Sequence, residues 1–270
     1  MTPSKRNGAV KTKRPSKRTG GAGQFLRPGD GLAGNAEWEA MKGRCRNLRP
    51  DDAVRECAYL SAEYRRRWNM PEISLDKIIA ALQAKKIPFV LTGAYGIATW
   101  TGRPRSTHDV DILVKSGRNH ARAVKAVQAL YPDLELRSFA GLAAFFVPGE
   151  TESVIDVVYP HRNDIAETLA TAIWIEDKGK RYRIPALEAA LANKYGAMLS
   201  LGRDPIKRGQ DGVDFATMVK HSMDKGRDPI DLERLAELGE LVWPGGGGED
   251  VVRLVEESKA GKVPNLTPRT

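Results

Sequence analysis

Leu91 to Val114 reads LTGAYGIATWTGRPRSTHDVDILV, and this stretch decides the fold. An apolar strand ending at Gly93 passes into a short helical segment. Arg105-Ser-Thr-His-Asp109-Val-Asp111 then leads into a second strand, Val110 to Val114. Side chains alternate along a strand, so Asp109 and Asp111 share one side while Val110, Ile112 and Val114 share the other. Their α-carbons stand about 6.6 Å apart at about 3.3 Å per residue, close enough for both carboxylates to converge on a hard cation. Gly93 and Gly96 mark the passage from strand to helix, where the backbone can approach a phosphate and the free amides and helix dipole favour its charge.

A site of this kind needs a third carboxylate, and Asp156 in Ser153-Val-Ile-Asp156-Val-Val-Tyr159 supplies it. A charge inside an apolar strand is costly unless a cation or hydrogen bonds compensate. Each feature has a plainer reading: solvated turn carboxylates, an Asp156 paired with Arg105, glycines that only reverse the chain. Their occurrence together, in this order and on expected strand ends, favours a shared metal site.

Gly93-Ala94, Arg105-x-Thr107-x-Asp109-x-Asp111 and the distal Asp156 resemble the nucleotidyltransferase superfamily built on the DNA polymerase β-like palm. Its members carry Gly-Gly or Gly-Ser, a D-x-D or D-x-E element and a later carboxylate; here Ala94 stands where the second Gly or Ser is usual. Lys194 to Asp214, with Arg203, Lys207, Arg208, Asp211 and Asp214, is similar to the lysine and K/R-x-x-D-x-x-D elements of the AbiEii toxin-type branch. The likeness runs from about Ser74 to about His221.

The resemblance implies an α+β fold: a mixed sheet with helices on one face, followed by a helical C-terminal region. It implies transfer of a nucleoside monophosphate from an NTP to an acceptor hydroxyl, with two Mg²⁺ ions held by Asp109, Asp111 and Asp156. Asp156 would help deprotonate the acceptor. Thr92, Gly93 and Ala94 would contact the triphosphate, Lys194 would offset its charge, and Arg105 would hold the D-x-D loop or touch a phosphate. Asp211 is open between a site role and a helix-capping one. The toxin-type likeness points to an RNA or tRNA 3′ end as acceptor and to a cognate antitoxin as partner. Two other readings stay in play: a catalytically silent nucleic-acid-binding protein, and a small-molecule or antibiotic nucleotidyltransferase.

Composition agrees with a folded body carrying an unusual extension. Of the formal net charge of +9 over 270 residues, +7 lies in Met1 to Gly34, where eight Lys or Arg face Asp30 alone. With few sizeable apolar groups, Phe25 and Leu26 among them, this segment, 1–34, is expected to be a disordered basic arm. It is either a phosphate-backbone binder, a solubilising tail, or translation upstream of the true start. No apolar run reaches the roughly 20 residues of a membrane span and no secretory signal is present, so a cytoplasmic location is expected. Cys45 and Cys57 lack zinc-like or disulfide patterning, and the four histidines have no metal-ligand spacing.

The remaining periodicities predict a helical lead-in over 35–73, a core over 74–185 and helices over 186–270. Ser74 caps a helix to Lys85, and Pro88 to Leu91 forms the first core strand. Asn119 to Leu130 is amphipathic, and strands follow at Leu134–Phe139, Ala143–Val147 and Val154–Tyr159. Two shorter strands, Ala172–Ile175 and Tyr182–Ile184, flank a polar turn. Arg65-Arg66-Arg67 reads as a solvated helix end rather than an RNA-facing ridge. Leu187, Leu191, Lys194 and Met198 share one helix stripe, so Lys194 needs an anionic partner. Arg203, Lys207 and Arg208 are expected in a loop before a helix starting near Gln210, and Gly245–Gly248 as a flexible hinge before a final helix, Glu249 to Ser258.

Overall fold

The computed structural model describes residues 50–115, 117–177, 179–224, 227 and 229–267. The basic arm and the first part of the lead-in, through Arg49, lie outside the described residues. The chain divides into Met1–Met41 and Lys42–Thr270, and the described residues all belong to the second unit.

Helix α1, Pro50–Arg67, begins at the proline, whose fixed φ and missing N–H suit a first helical turn. Ser74 caps α2, Leu75–Ala84, its hydroxyl accepting from Lys77 N at 3.3 Å. Then come β1, Phe89–Leu91; α3, Gly93–Thr101; β2, Val110–Val114; α4, Arg118–Leu130; β3, Glu135–Phe139; β4, Leu142–Phe146; and β5, Ser153–Val158. These five strands form one sheet in the order β1-β2-β5-β4-β3. Only the β2–β5 pair is parallel, so the sheet is mixed.

Alternation gives that sheet two unlike faces. Leu91, Ile112, Val157, Ala143 and their neighbours Val110, Ile155 and Phe145 belong to a buried cluster with Ile78, Ile79 and Leu82 of α2 and Ala123 and Val127 of α4. Ala53, Val54 and Cys57 of α1 enter the same cluster. Asp111, Asp156 and Ala144 stand on the other face, in one register row across β2, β5 and β4. The expected α+β architecture is present.

After α5, Asn163–Thr171, a separate hairpin forms from β6, Ile173–Asp177, and β7, Lys180–Ile184, longer than the two strands anticipated. Four helices follow: α6, Leu187–Leu199; α7, Pro205–Ser222; α8, Leu232–Val242; and α9, Gly247–Lys259. They enclose a second apolar cluster around Leu191, Phe215, Leu235 and Val255, to which α3 contributes Ile97. Each such side chain stabilises the layer by about 1.5–3 kcal/mol relative to exposure. Helix α3 packs against both α1 and α7, and so joins the sheet layer to the helical one.

Two expectations here are corrected. Helix α7 starts at Pro205, not near Gln210: Asp204 accepts from Ile206 N at 2.9 Å and Lys207 N at 3.1 Å, and the proline occupies the first turn. Lys207 and Arg208 are therefore helical rather than in a loop. Nor is Gly245–Gly248 only a hinge, because Gly247 and Gly248 are buried where α8 and α9 cross. A Cβ on Gly247 would stand 2.1 Å from Gly239 O, so the glycines permit backbone contact between the two helices.

Candidate active site

The site is assembled from the D-x-D loop, the start of α3, β5 and the α6–α7 pair. Asp111 and Asp156 are register partners on adjacent parallel strands, which sets their α-carbons about 4.8 Å apart. Gly93, at φ +57, is the first residue of α3, and a Cβ there would meet Asp111 Oδ2 at 1.8 Å. The Asp111 carboxylate thus rests on the glycine at a helix N-terminus, with Thr92 N–H donating to Asp111 O at 3.0 Å. Ala94 is buried in the same turn and Thr92 caps it with no side-chain hydrogen bond.

Asp109 is held differently. Thr107 Oγ1 donates to its Oδ1, and the Thr107 amide donates to Ser61 Oγ of α1 at 3.0 Å. Arg65 Nη2 donates to His108 O at 3.1 Å, and Cys57 Sγ donates to Arg105 O at 3.1 Å. Burial pushes the Cys57 thiol up to about 12, which keeps the donor proton in place at neutral pH. These loop groups precede β2 and lie outside its strand pairing. Arg65 departs from expectation: it is 3% exposed, while Arg66 and Arg67 are solvated.

Like charges crowd the carboxylates. Burial raises the Asp111 carboxyl well above its ordinary range, and Asp109 and Asp156 add to the rise. Asp156 is pushed up to about 6, chiefly by burial and further by Asp109, with the Ser153 hydroxyl offsetting part. Asp156 Oδ1 is buried with no hydrogen-bond partner among the described residues. An orphaned buried oxygen in a carboxylate row fits a divalent cation as the missing partner. Among the described residues no three His, Cys, Asp or Glu side chains are grouped so that they could hold a metal ion by themselves; Mg²⁺ is commonly bound by one or two carboxylates together with substrate phosphates.

On the α6–α7 side, Lys194 Nζ donates to Asp211 Oδ1 at 2.8 Å and Asp214 Oδ2 at 2.7 Å. Arg203 forks onto Asp211 at 2.8 and 3.1 Å, and Arg105 onto Asp214 at 3.2 and 3.0 Å. Burial alone would raise Asp214, but Lys194 and Arg105 outweigh it and hold the carboxyl low. The anionic partner required for Lys194 is thus a pair, and Asp211 is its ligand in mid-helix, not a first-turn cap. Three cations against two anions leave one positive charge in excess, and Lys194 and Arg203 both act on Asp111. Arg105 reaches Asp214 and not Asp156. Lys207 pairs with Glu152 at 2.9 Å, as does His108 at 3.2 Å, while Arg208 turns back to Arg203 O at 2.9 Å.

No family model matches the sequence, and no curated protein matches it. Several solved structures are similar in form. One is an antigenic nucleotidyltransferase-like protein from Paracoccidioides brasiliensis: 19% identity, TM-score 0.39, 67% of this chain and 94% of that one. A second is the antibiotic-resistance factor ANT(2'')-Ia: 14%, TM-score 0.41, 70% and 96%. A third is JHP933 from Helicobacter pylori: 15%, TM-score 0.36, 69% and 92%. At these identities and scores, any activity has to be argued from the site's own geometry.

Sequence reasoning found the carboxylate row but missed its supports. Ser61 and Cys57 carried no signal of their own, although Cys57, Ser61 and Arg65 recur at intervals of four and so share one helix face. Glu152, between β4 and β5, was not singled out. Among the described residues no helix is long and apolar enough to cross a membrane.

Proposed function

We propose that this protein is a Mg²⁺-dependent nucleotidyltransferase that moves a nucleoside monophosphate from an NTP to an acceptor hydroxyl. The observation that carries the reading is the pairing of Asp111 with Asp156 in one register row, beside Gly93 and next to Asp109. A purely structural row of this kind would be a liability, since like charges buried together resist ionisation.

Asp109, Asp111 and Asp156 are the residues that would hold the metal, which when bound neutralises the triphosphate and acidifies the attacking hydroxyl. The chain supplies the rest. Thr92, Gly93 and Ala94 present the α3 N-terminus to the β and γ phosphates. Asp156, one of the three carboxylates around the metal, accepts the proton of the acceptor hydroxyl. Arg203, on the rim of the ion-pair chain, faces the leaving phosphate charge, while Lys194 holds Asp211 and Asp214 in place. The acceptor is an RNA end, a tRNA 3′ terminus in particular, and the protein acts as the toxin of a toxin–antitoxin pair, with the antitoxin as its partner. The convergence of Lys194, Asp211 and Asp214 supports the toxin-type likeness, and the cationic N-terminal segment supports a nucleic-acid acceptor.

The test is incubation with each α-labelled NTP, Mg²⁺ and total RNA, beside an Asp109→Ala, Asp111→Ala double variant. Label in RNA with the wild type alone is the expected result. Label on the protein itself would move the acceptor to protein, and no label together with no Mg²⁺-dependent nucleotide binding would end the enzyme reading.

A further inference from the structure

Three residues of α1 recur at intervals of four, Cys57, Ser61 and Arg65, and so share one helix face. That face meets the D-x-D loop and is almost fully enclosed: Cys57 and Ser61 are 0% exposed and Arg65 3%. Each residue bonds a different backbone group of the loop, namely Arg105 O, Thr107 N–H and His108 O. The bonds are of mixed polarity, two side-chain donors around one acceptor, so the face is complementary to one loop conformation rather than generally sticky. Ser61 is the centre of the ladder. Its hydroxyl donates to Cys57 O at 2.7 Å, which turns its lone pairs toward the Thr107 amide. Thr107 then passes the constraint on through its own hydroxyl, which donates to Asp109. Arg65 also bonds Ile73 O at 3.1 Å, tying the α1–α2 connection to the same loop.

We infer that Ser61 and Arg65 are positioning residues of the transfer reaction: the α1 face fixes the loop backbone from Arg105 to His108, and through Thr107 it aims the Asp109 carboxylate. This rests on the proposed nucleotidyl transfer. It assigns to the helical lead-in a role that the D-x-D motif itself does not contain. An Asp109 freed to rotate would still attract a cation but would present it out of line, and misplacement by about 1 Å is enough to cost on the order of 100-fold in rate. A defect of this type lowers kcat more than it raises nucleotide KM, because Ser61 and Arg65 meet α3 at Tyr95, beyond the Thr92-Gly93-Ala94 stretch that meets the triphosphate.

The experiment pairs steady-state kinetics with amide hydrogen exchange on full-length wild type, Ser61→Ala, Arg65→Met and Arg65→Lys. Ser61→Ala removes one oxygen and should fold. Its expected signature is a fall in kcat of about 10- to 100-fold, NTP KM changed less than about threefold, and faster exchange confined to residues 105–111. Arg65→Lys, which keeps a donor for one of the two carbonyls, should recover part of what Arg65→Met loses. Wild-type kcat in Ser61→Ala, or a loss of activity matched by faster exchange throughout the chain, would overturn the inference. Should the wild type itself transfer no nucleotide, the transfer reading fails. Exchange in 105–111 then decides the loop claim: no local acceleration in Ser61→Ala refutes it.

Discussion

Replacing Asp156 with Asn should make the protein more stable and inactive. The wild-type carboxyl rises from 3.8 to about 6 on folding. The folded state therefore binds more protons than the unfolded chain between these values, and stability falls as pH climbs from about 4 through 6. Above that window the ionised Asp156 withholds about 3 kcal/mol, at about 1.4 kcal/mol per pH unit of displacement, and its electrostatic coupling to Asp109 and Asp111 makes this an upper figure. Asn keeps the shape and loses the charge. At pH 8 the variant should melt higher by at most about 6–12 °C, taking about 2–4 °C per kcal/mol for a chain of this size. At pH 4.5 the gain should shrink to about 1 kcal/mol, and near pH 3.5 it should vanish. Thermal melts across this range, in metal-free buffer, measure it directly. Equal stability of the two proteins at pH 8, or a gain that persists undiminished at pH 3.5, would refute the reasoning that Asp156 is buried at the expense of the fold.

Mg²⁺ with an NTP should narrow the same gap, raising the wild-type melting temperature and leaving Asp156→Asn nearly unmoved; calorimetric melts with and without a chelator check this. Gly93→Ala puts a Cβ at 1.8 Å from Asp111 Oδ2 and strains a φ of +57, so both stability and label transfer should fall, whereas Ala94→Gly should leave transfer intact. Lys194→Met leaves Asp211 and Asp214 sharing a buried region without their common cation, and urea titration should show a loss of about 3–5 kcal/mol. Gly247→Ala should lower the melting temperature by forcing α8 and α9 apart at Gly239, a result that a free hinge would not give.

Strands and their carboxylates were legible because alternation and burial leave a direct trace: Asp109-Val-Asp111-Ile-Leu-Val announces both a face and a charge. Asp156 was legible for the same reason, as a polar break in an apolar run. The start of α7 differs from expectation although Asp204-Pro205 carries a good N-terminal signal, because the basic residues 203, 207 and 208 around it show no apolar helical period. Arg65 was misread because a triplet of arginines has no internal cue for which one turns inward. That choice is made by the phase of α1 and by the carbonyls of Ile73 and His108, which are remote in sequence. The glycines at 245–248 look alike in sequence, and only the crossing of α8 with α9 distinguishes the two that are buried.

Arg105 is gripped from both ends of the chain, its carbonyl by Cys57 across 48 positions and its guanidinium by Asp214 across 109. Contacts of such sequence separation close late, because loop entropy has to be overcome before they are rewarded. The sheet's own β2–β5 pairing spans about as many positions as the Cys57 contact, so it is the Asp214 grip on Arg105 that is set to close after the sheet. A chain emerging during synthesis would carry all three carboxylates well before α7 could pin that loop. The full geometry of the candidate site, by this route, appears only when α7 docks.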